Sequence, residues 1–378
     1  MPAARSATRP PVLSDRTLNR TMLARQQLLA RRAGPVPEMI DRLVGLQAQA
    51  PLASYVALWS RLASFQAGTL AELMSSRAYV RGHAMRSTIH LVSAQDFLAL
   101  RALSDAAVVL NLSGQVPWAR ALRGADRAAL AADLRAALAG GPLARVPLAE
   151  RLRGRWGDEL ANAAAVAAAV LTACVQATPR GLWGQGGPVA WATVQQWLGT
   201  ELPDPPPSPV GFLMRYLAAF GPASIADMRA WSGWRRLREA IDTAGVRLER
   251  FRSEQGHQLL DLPGAPLANA DRAAPVRFLP EYDNVHFAYR DRARINPRGF
   301  AMPRRPGNGA AMGTFLADGE FAGEWRREVS ADRQTAVLTV EAYRPLTADE
   351  RAQIHEEGRA LLGFLAPGAA ADIHVGQK

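Results

Sequence analysis

Apolar residues recur at helical spacing through roughly the first two thirds of the chain and alternate with polar ones in the last third. The pattern therefore predicts an α+β protein, helical first and strand-rich later. Residues 17–32 form the first amphipathic stretch, and Gly34-Pro35 stops it. Residues 37–49 read as a second helix, with Pro37 in its first turn, Met39, Ile40, Leu43, Val44 and Leu46 as its apolar positions, and Pro51 closing it. Helices over 53–65 and 70–75 follow. Then the period switches to two. Met85, Ser87, Ile89 and Leu91 alternate with Arg86, Thr88 and His90, which predicts a hairpin turning near Gly82-His83. Helices followed by a basic hairpin have the order of a winged helix.

The order recurs. Helices over 125–139, 147–156 and 160–174 precede the Gly-rich stretch PRGLWGQGGPVAWATV, which suits strands or a wing. After the extended linker PDPPPSP, helices over 210–220, 225–232 and 234–244 lead into alternation over 246–262. From about residue 277, β-branched and aromatic alternation with a turn at Asp318-Gly319 predicts several short strands, then a helix over 348–362 and a final strand. The fold expected is three tandem winged-helix motifs followed by a small C-terminal β-barrel or sheet domain. Its boundaries are a disordered basic tail over 1–16, units over 17–120 and 121–202, the linker 203–209, a unit over 210–270 and the last domain over 271–378.

Composition changes this picture in two ways. Forty-five Lys and Arg against 34 Asp and Glu give a net charge of +11, and the only lysine is Lys378. A strongly basic balance favours a polyanionic partner, most often nucleic acid, although an ordinary enzyme with an arginine surplus has the same charge. The lysine count excludes an interior Schiff-base nucleophile and a P-loop lysine. One cysteine, Cys174, excludes a disulfide framework and a multi-thiolate zinc site. No apolar run reaches the length of about 18 residues that a membrane helix needs, and the N-terminus lacks the apolar core of a secretory signal. A cytoplasmic, nucleoid-associated monomer is expected.

Three constellations could carry chemistry. Gln47 and Gln49 lie in LVGLQAQAP, at what reads as a helix end. On a helix, residues two apart point about 200° away from each other. Both face one cavity only if the helix ends between them, and Pro51 disfavours helical geometry at Ala50. A glutamine is no general base, yet its amide donates and accepts at once and can hold a water. The alternative is a pair that caps the helix and touches solvent. On the hairpin stand Arg81, His83, Arg86, Thr88 and His90. Arg86, Thr88 and His90 are expected to share a strand face suited to phosphate or flipped-base contacts. A merely solvated wing, or a half-buried satisfied His90, reads equally well. In LPEYDNVHFAYRDRARI an acidic part precedes a basic one. Glu281, Asp283 and His286 match no metal-ligand spacing, so the acidic part reads as structural. Arg290, Arg292 and Arg294 read as phosphate contacts. No metal or cofactor is expected. Gly-x-Ser-x-Gly, His-Glu-x-x-His and Gly-x-Gly-x-x-Gly motifs are absent.

In order along the chain, LVGLQAQAP, VRGHAMRSTIHLV and RFLPEYDNVHFAYRDR resemble the motifs of the AlkZ/YcaQ-like winged-helix DNA glycosylases. That family is also described as winged helix DNA-binding domain-containing proteins. The resemblance runs from about residue 18 to the C-terminus. It implies three winged helices and a β-barrel forming a basic, concave surface on double-stranded DNA, with the family's catalytic Gln-x-Gln at Gln47 and Gln49. It also implies excision of N7-alkylated purines and, in some members, unhooking of interstrand crosslinks. The Gln-x-Gln form, as opposed to Gln-x-Asp, is nearer the antibiotic self-resistance branch. An N7-alkylated guanine is already cationic and leaves without a strong general acid, so a neutral amide pair suits it. Without an interior lysine, base removal is expected to stop at the abasic site. A winged-helix regulator or a non-catalytic DNA-binding protein is the alternative from another class.

Overall fold

A computed structural model describes residues 9–110, 117–304 and 311–378, with side chains throughout except at 105–110. The chain is α+β. Helices Asp15–Arg25, Val36–Arg42, Ala53–Trp59 and Ala67–Ser75 precede the strands Tyr79–His83 and Ile89–Ser93. Helices Arg127–Leu138 and Arg145–Leu171 precede Cys174–Gln176 and Ala190–Thr193, and the long second helix is interrupted at Gly157. Helices Val210–Phe220, Ile225–Ser232 and Leu237–Thr243 precede the hairpin Glu249–Ser253 with Gln258–Asp261. Helices 210–220 and 225–232 fall where the breakers put them, since Gly221-Pro222 ends one and a Ser224–Asp227 capping box starts the next.

The first two groups of strands form one sheet. Its order is Leu46–Gln47, Ile89–Ser93, Tyr79–His83, Cys174–Gln176, Ala190–Thr193, Leu143–Ala144. The joint between the groups is antiparallel, with Arg81 opposite Gln176 and Gly82 opposite Val175. In the third group, Val12–Leu13 adds a parallel strand to the hairpin. The expected basic tail is therefore shorter than 1–16: residues 12–16 already pair or enter the first helix, and residues 1–8 lie outside the described residues. The C-terminal sheet runs Arg277–Leu279, Gly313–Ala317, Glu320–Val329, Thr335–Ala342, Ala370–Gln377, with helix Ala348–Leu365 crossing between its last two, parallel strands. It is open, so of the two expected forms the structure has the sheet and not the closed barrel.

Ion pairs taken out of water tie these parts together. Arg25 of the first helix holds Asp261 of the third hairpin with Nη2 to Oδ2 at 2.7 Å, and Arg61 holds Asp283 with Nη2 to Oδ1 at 2.7 Å. Arg31 and Arg277 converge on Glu357 of the last helix. Two expected helices end early. The first stops at Arg25 because Gln27 takes a left-handed φ of +60°, and the second stops at Arg42 because Val44 and Gly45 do the same at +54° and +91°. No helix among the described residues is long and apolar enough to cross a membrane.

Candidate active site

The left-handed turn at Val44-Gly45 decides how the two glutamines are presented. A Cβ at Gly45 would lie 2.2 Å from Val92 Cγ1 and 3.0 Å from the Leu91 carbonyl. Only glycine lets the chain swing against strand Ile89–Ser93 there. Residues beyond it are extended: Leu46 pairs with Leu91, Gln47 with His90, and the Ala48 N–H donates to the Ile89 carbonyl at 2.7 Å. The helix expected to reach residue 49 is thus a short edge strand. Gln49 stands in a bend two residues on, outside any helix, so the constraint posed by helical geometry does not apply.

Each glutamine is oriented by a donor. Arg86 Nη2 donates to Gln47 Oε1 at 3.1 Å, and the Ile89 N–H donates to Gln49 Oε1 at 2.8 Å. These bonds settle which way each amide is flipped. Each oxygen keeps a second lone pair, and neither NH2 group has a protein partner among the described residues. Gln47 is buried and Gln49 exposed. The Gln49 side chain thus takes the Ile89 N–H that a regular antiparallel ladder would pair with the Ala48 carbonyl, which accepts from Arg81 instead.

Asn284 supports the segment from the other side. Its Oδ1 accepts from the Gln47 N–H at 3.3 Å and its Nδ2 donates to the Gly45 carbonyl at 2.8 Å. Asn284 is in turn held by Asp283, which caps the short turn Asn284–His286 by accepting from the Val285 N–H and takes a two-pronged contact from Arg61. Sequence reasoning singled out neither Asn284 nor Arg61. The DN dipeptide of a capped turn was the signal on offer, but its contact with Gly45 and Gln47 was not. With Asp283 committed to Arg61, and His286 Nε2 at 2.8 Å from Thr314 Oγ1, these two and Glu281 do not form a metal site; among the described residues no cluster of three ligating side chains occurs.

The hairpin departs from expectation in its turn. The strands run to His83 and resume at Ile89, so Ala84–Thr88 form the connection, with Arg86 and Ser87 at φ +54° and +58°. Arg86, Thr88 and His90 consequently do not line one strand face. Arg86 bends back across the site and bridges Gln47 Oε1 and the Trp231 carbonyl. Burial lowers its guanidinium to about 10. Thr88 Oγ1 closes the turn on the Met85 carbonyl at 3.1 Å. His90 is 2% exposed, donates Nδ1–H to the Thr88 carbonyl at 2.9 Å and is pushed down to about 3 by burial, with the Arg86 charge adding to it. It is a neutral imidazole beside Gln47, not a surface contact. His83 donates Nδ1–H to the Ser87 carbonyl at 2.9 Å and lies against Trp191; burial lowers its pKa as well. Arg81 is also 2% exposed and cannot reach a phosphate from there.

Of the RDRAR arginines, Arg290 and Arg292 are exposed, Arg292 lying over the Phe287 ring at 5.1 Å. Together with Arg304, Arg292 borders an open depression floored by Asn296, Phe300 and Met302. Arg294 instead turns inward, stacked on Tyr289 at 4.1 Å and donating to the carbonyls of Phe220 and Pro222. Lys378 Nζ is held by Glu324 at 2.9 Å over the Tyr343 ring.

Two comparisons bear on this arrangement. The family described as "DNA glycosylase AlkZ-like" matches residues 40–364. The DNA glycosylase AlkZ of Streptomyces sahachiroi superposes with a TM-score of 0.70 at 19% identity, over 96% of this chain and 100% of that one. No curated protein matches in sequence.

Proposed function

The chain belongs to the AlkZ-like DNA glycosylase family, and on that premise we propose that it hydrolyses the N-glycosidic bond of N7-alkylated, cationic purines in duplex DNA, with Gln47 and Gln49 holding the attacking water. The observation that carries this reading is the pair of amide oxygens on one short segment, a strand end and the bend after it, each with one protein donor and one lone pair left. Those lone pairs accept the two O–H bonds of a water and leave its own lone pair for C1′. The C1′–N9 electrons move onto the base and cancel its positive charge, so the base departs neutral. The water oxygen bonds C1′, and its proton passes to solvent. Neutral amides stabilise the developing sugar cation less than a carboxylate does, which confines the enzyme to leaving groups that are already activated. The same attack on one N7-linked guanine of an interstrand crosslink unhooks it.

We read the three helix–hairpin groups as tandem winged helices, with Arg290 and Arg292 among the phosphate contacts of a monomeric enzyme. Lys378, the sole lysine, is paired with Glu324, which supports a reaction that stops at an intact abasic site.

The test is base release from an oligonucleotide with one N7-methylguanine. Wild type is expected to release it. Gln47→Ala and Gln49→Ala are expected to bind DNA normally and excise on the order of 100-fold more slowly, the scale of losing one preorganised group. Two single variants that both excise at the wild-type rate would overturn the assignment.

A further inference from the structure

Arg81 lies on strand Tyr79–His83, 2% exposed, with no carboxylate partner among the described residues. Its Nη2 donates to the Ala48 carbonyl at 2.7 Å, while Nε and Nη1 are buried without an acceptor among the described residues. A buried cation with unmade hydrogen bonds is unfavourable, and an apolar side chain of similar volume would avoid the penalty. The surroundings are nevertheless shaped to it. Gly181, at φ +93°, sits where a Cβ would come within 2.6 Å of Nη1, and the Tyr55 hydroxyl holds that loop in place through the Gly181 carbonyl at 2.9 Å. Burial, with Arg180 as a second cause, lowers Arg81 to about 10, so it remains charged at neutral pH.

The one acceptor Arg81 has among the described residues is the carbonyl between the two glutamines. The strand that carries them has only the pairs at Leu46 and Gln47 and the Ala48–Ile89 hydrogen bond before Pro51 ends it, too little ladder to fix its own end. We propose that Arg81 is a positioning residue, whose Nη2–H pins the Ala48 carbonyl and so keeps Gln47 and Gln49 aimed together. The proposal rests on the reading of those glutamines as the water-holding pair. It also gives a reason for keeping an unfavourable buried charge: local order at the site at the expense of stability.

The test compares Arg81→Met and Arg81→Lys with wild type in the full chain. For Arg81→Met, single-turnover excision of N7-methylguanine is expected to fall 10- to 100-fold, the scale of a misplaced reacting group. Its DNA half-saturation is expected to stay unchanged and its melting temperature to be equal or higher. The amide of Ala48 is expected to exchange faster with deuterium. Arg81→Lys, which restores one charged donor, is expected to recover most of the rate. A merely structural Arg81 predicts the opposite pattern, a lower melting temperature with rate and DNA binding lost together, and that result overturns the proposal. So does wild-type excision by Arg81→Met. If wild type itself excises nothing, the reading of the glutamines fails instead. Hydrogen exchange over residues 46–50 then judges the pinning, with unchanged protection in Arg81→Met counting against it.

Discussion

Arg61→Met isolates the support beneath the glutamines. Arg61 and Asp283 are 0% and 1% exposed, and the guanidinium also bonds the Ala57 carbonyl and Gln26 Oε1. Removing it strands a buried carboxylate with the Val285 N–H as its remaining donor. Breaking a buried pair in this way costs about 3–5 kcal/mol, a large part of the roughly 5–15 kcal/mol by which a domain is stable. The melting temperature should fall on the order of 10 °C. The double variant Arg61→Met with Asp283→Leu removes both charges and should recover to within about 1–2 kcal/mol of wild type. Excision should not recover with it, because the cap that orients Asn284 against Gly45 and Gln47 is gone. A loss of about tenfold is expected at restored stability. Urea unfolding, with single-turnover excision on the same samples, measures both quantities. An Arg61→Met variant within 1 kcal/mol of wild type by the scale of ordinary surface changes, or a double variant with full activity, would refute the reasoning.

Three further outcomes follow from the site. His90 and His286 are held to about 3 and about 4 by burial, below the unfolded value near 6.5, so unfolded chains bind two protons that the native state refuses. Their contribution is complete above pH 6.5 and is lost as pH falls; between about pH 6 and 5 stability should drop by up to about 2.7 kcal/mol per pH unit from these two groups, and His286→Gln should remove half of that slope. With His83 and His90 lowered and Arg81 and Arg86 near 10, single-turnover excision should be flat between about pH 7 and 9; a bell in that range would require a titrating general base in place of the neutral amide pair. Borohydride should trap no protein–DNA adduct, and a trapped adduct would contradict the abasic-site end point.

What the sequence disclosed depended on whether a local signal existed. Helices 210–220 and 225–232 were readable because glycine, proline and a capping box bound them. The helix over 37–49 was overextended because a β-branched residue, Val44, takes the left-handed conformation there, and nothing local marks it. The hairpin turn was misplaced for the same reason, since Arg86 and Ser87 occupy φ values that glycine or asparagine would have announced. Asn284 was missed because its partners lie 237 and 239 positions away. Charge ordinarily means exposure, so nothing local marks Arg81 as buried; its burial is decided by Tyr55, Gly181 and the second group of strands. Gln47 and Gln49 stand out at the expected helix end and receive a catalytic role only from the resemblance, whereas the edge strand and bend that carry them came only with the structure.

The sheet shared by the first two groups sets an order of events during synthesis. Strand Tyr79–His83 is flanked on one side by Ile89–Ser93, which carries the glutamine segment, and on the other by Cys174–Gln176. The first side closes over a few residues, whereas the second awaits a loop of more than 90, the slower closure. Until residues 174–193 have emerged from the ribosome, Arg81 faces water on that flank and Gly181 is not yet there to enclose it. The nascent first group therefore carries both glutamines before Arg81 is enclosed, and before Asn284 and the Trp231 carbonyl have been synthesised to complete their surroundings.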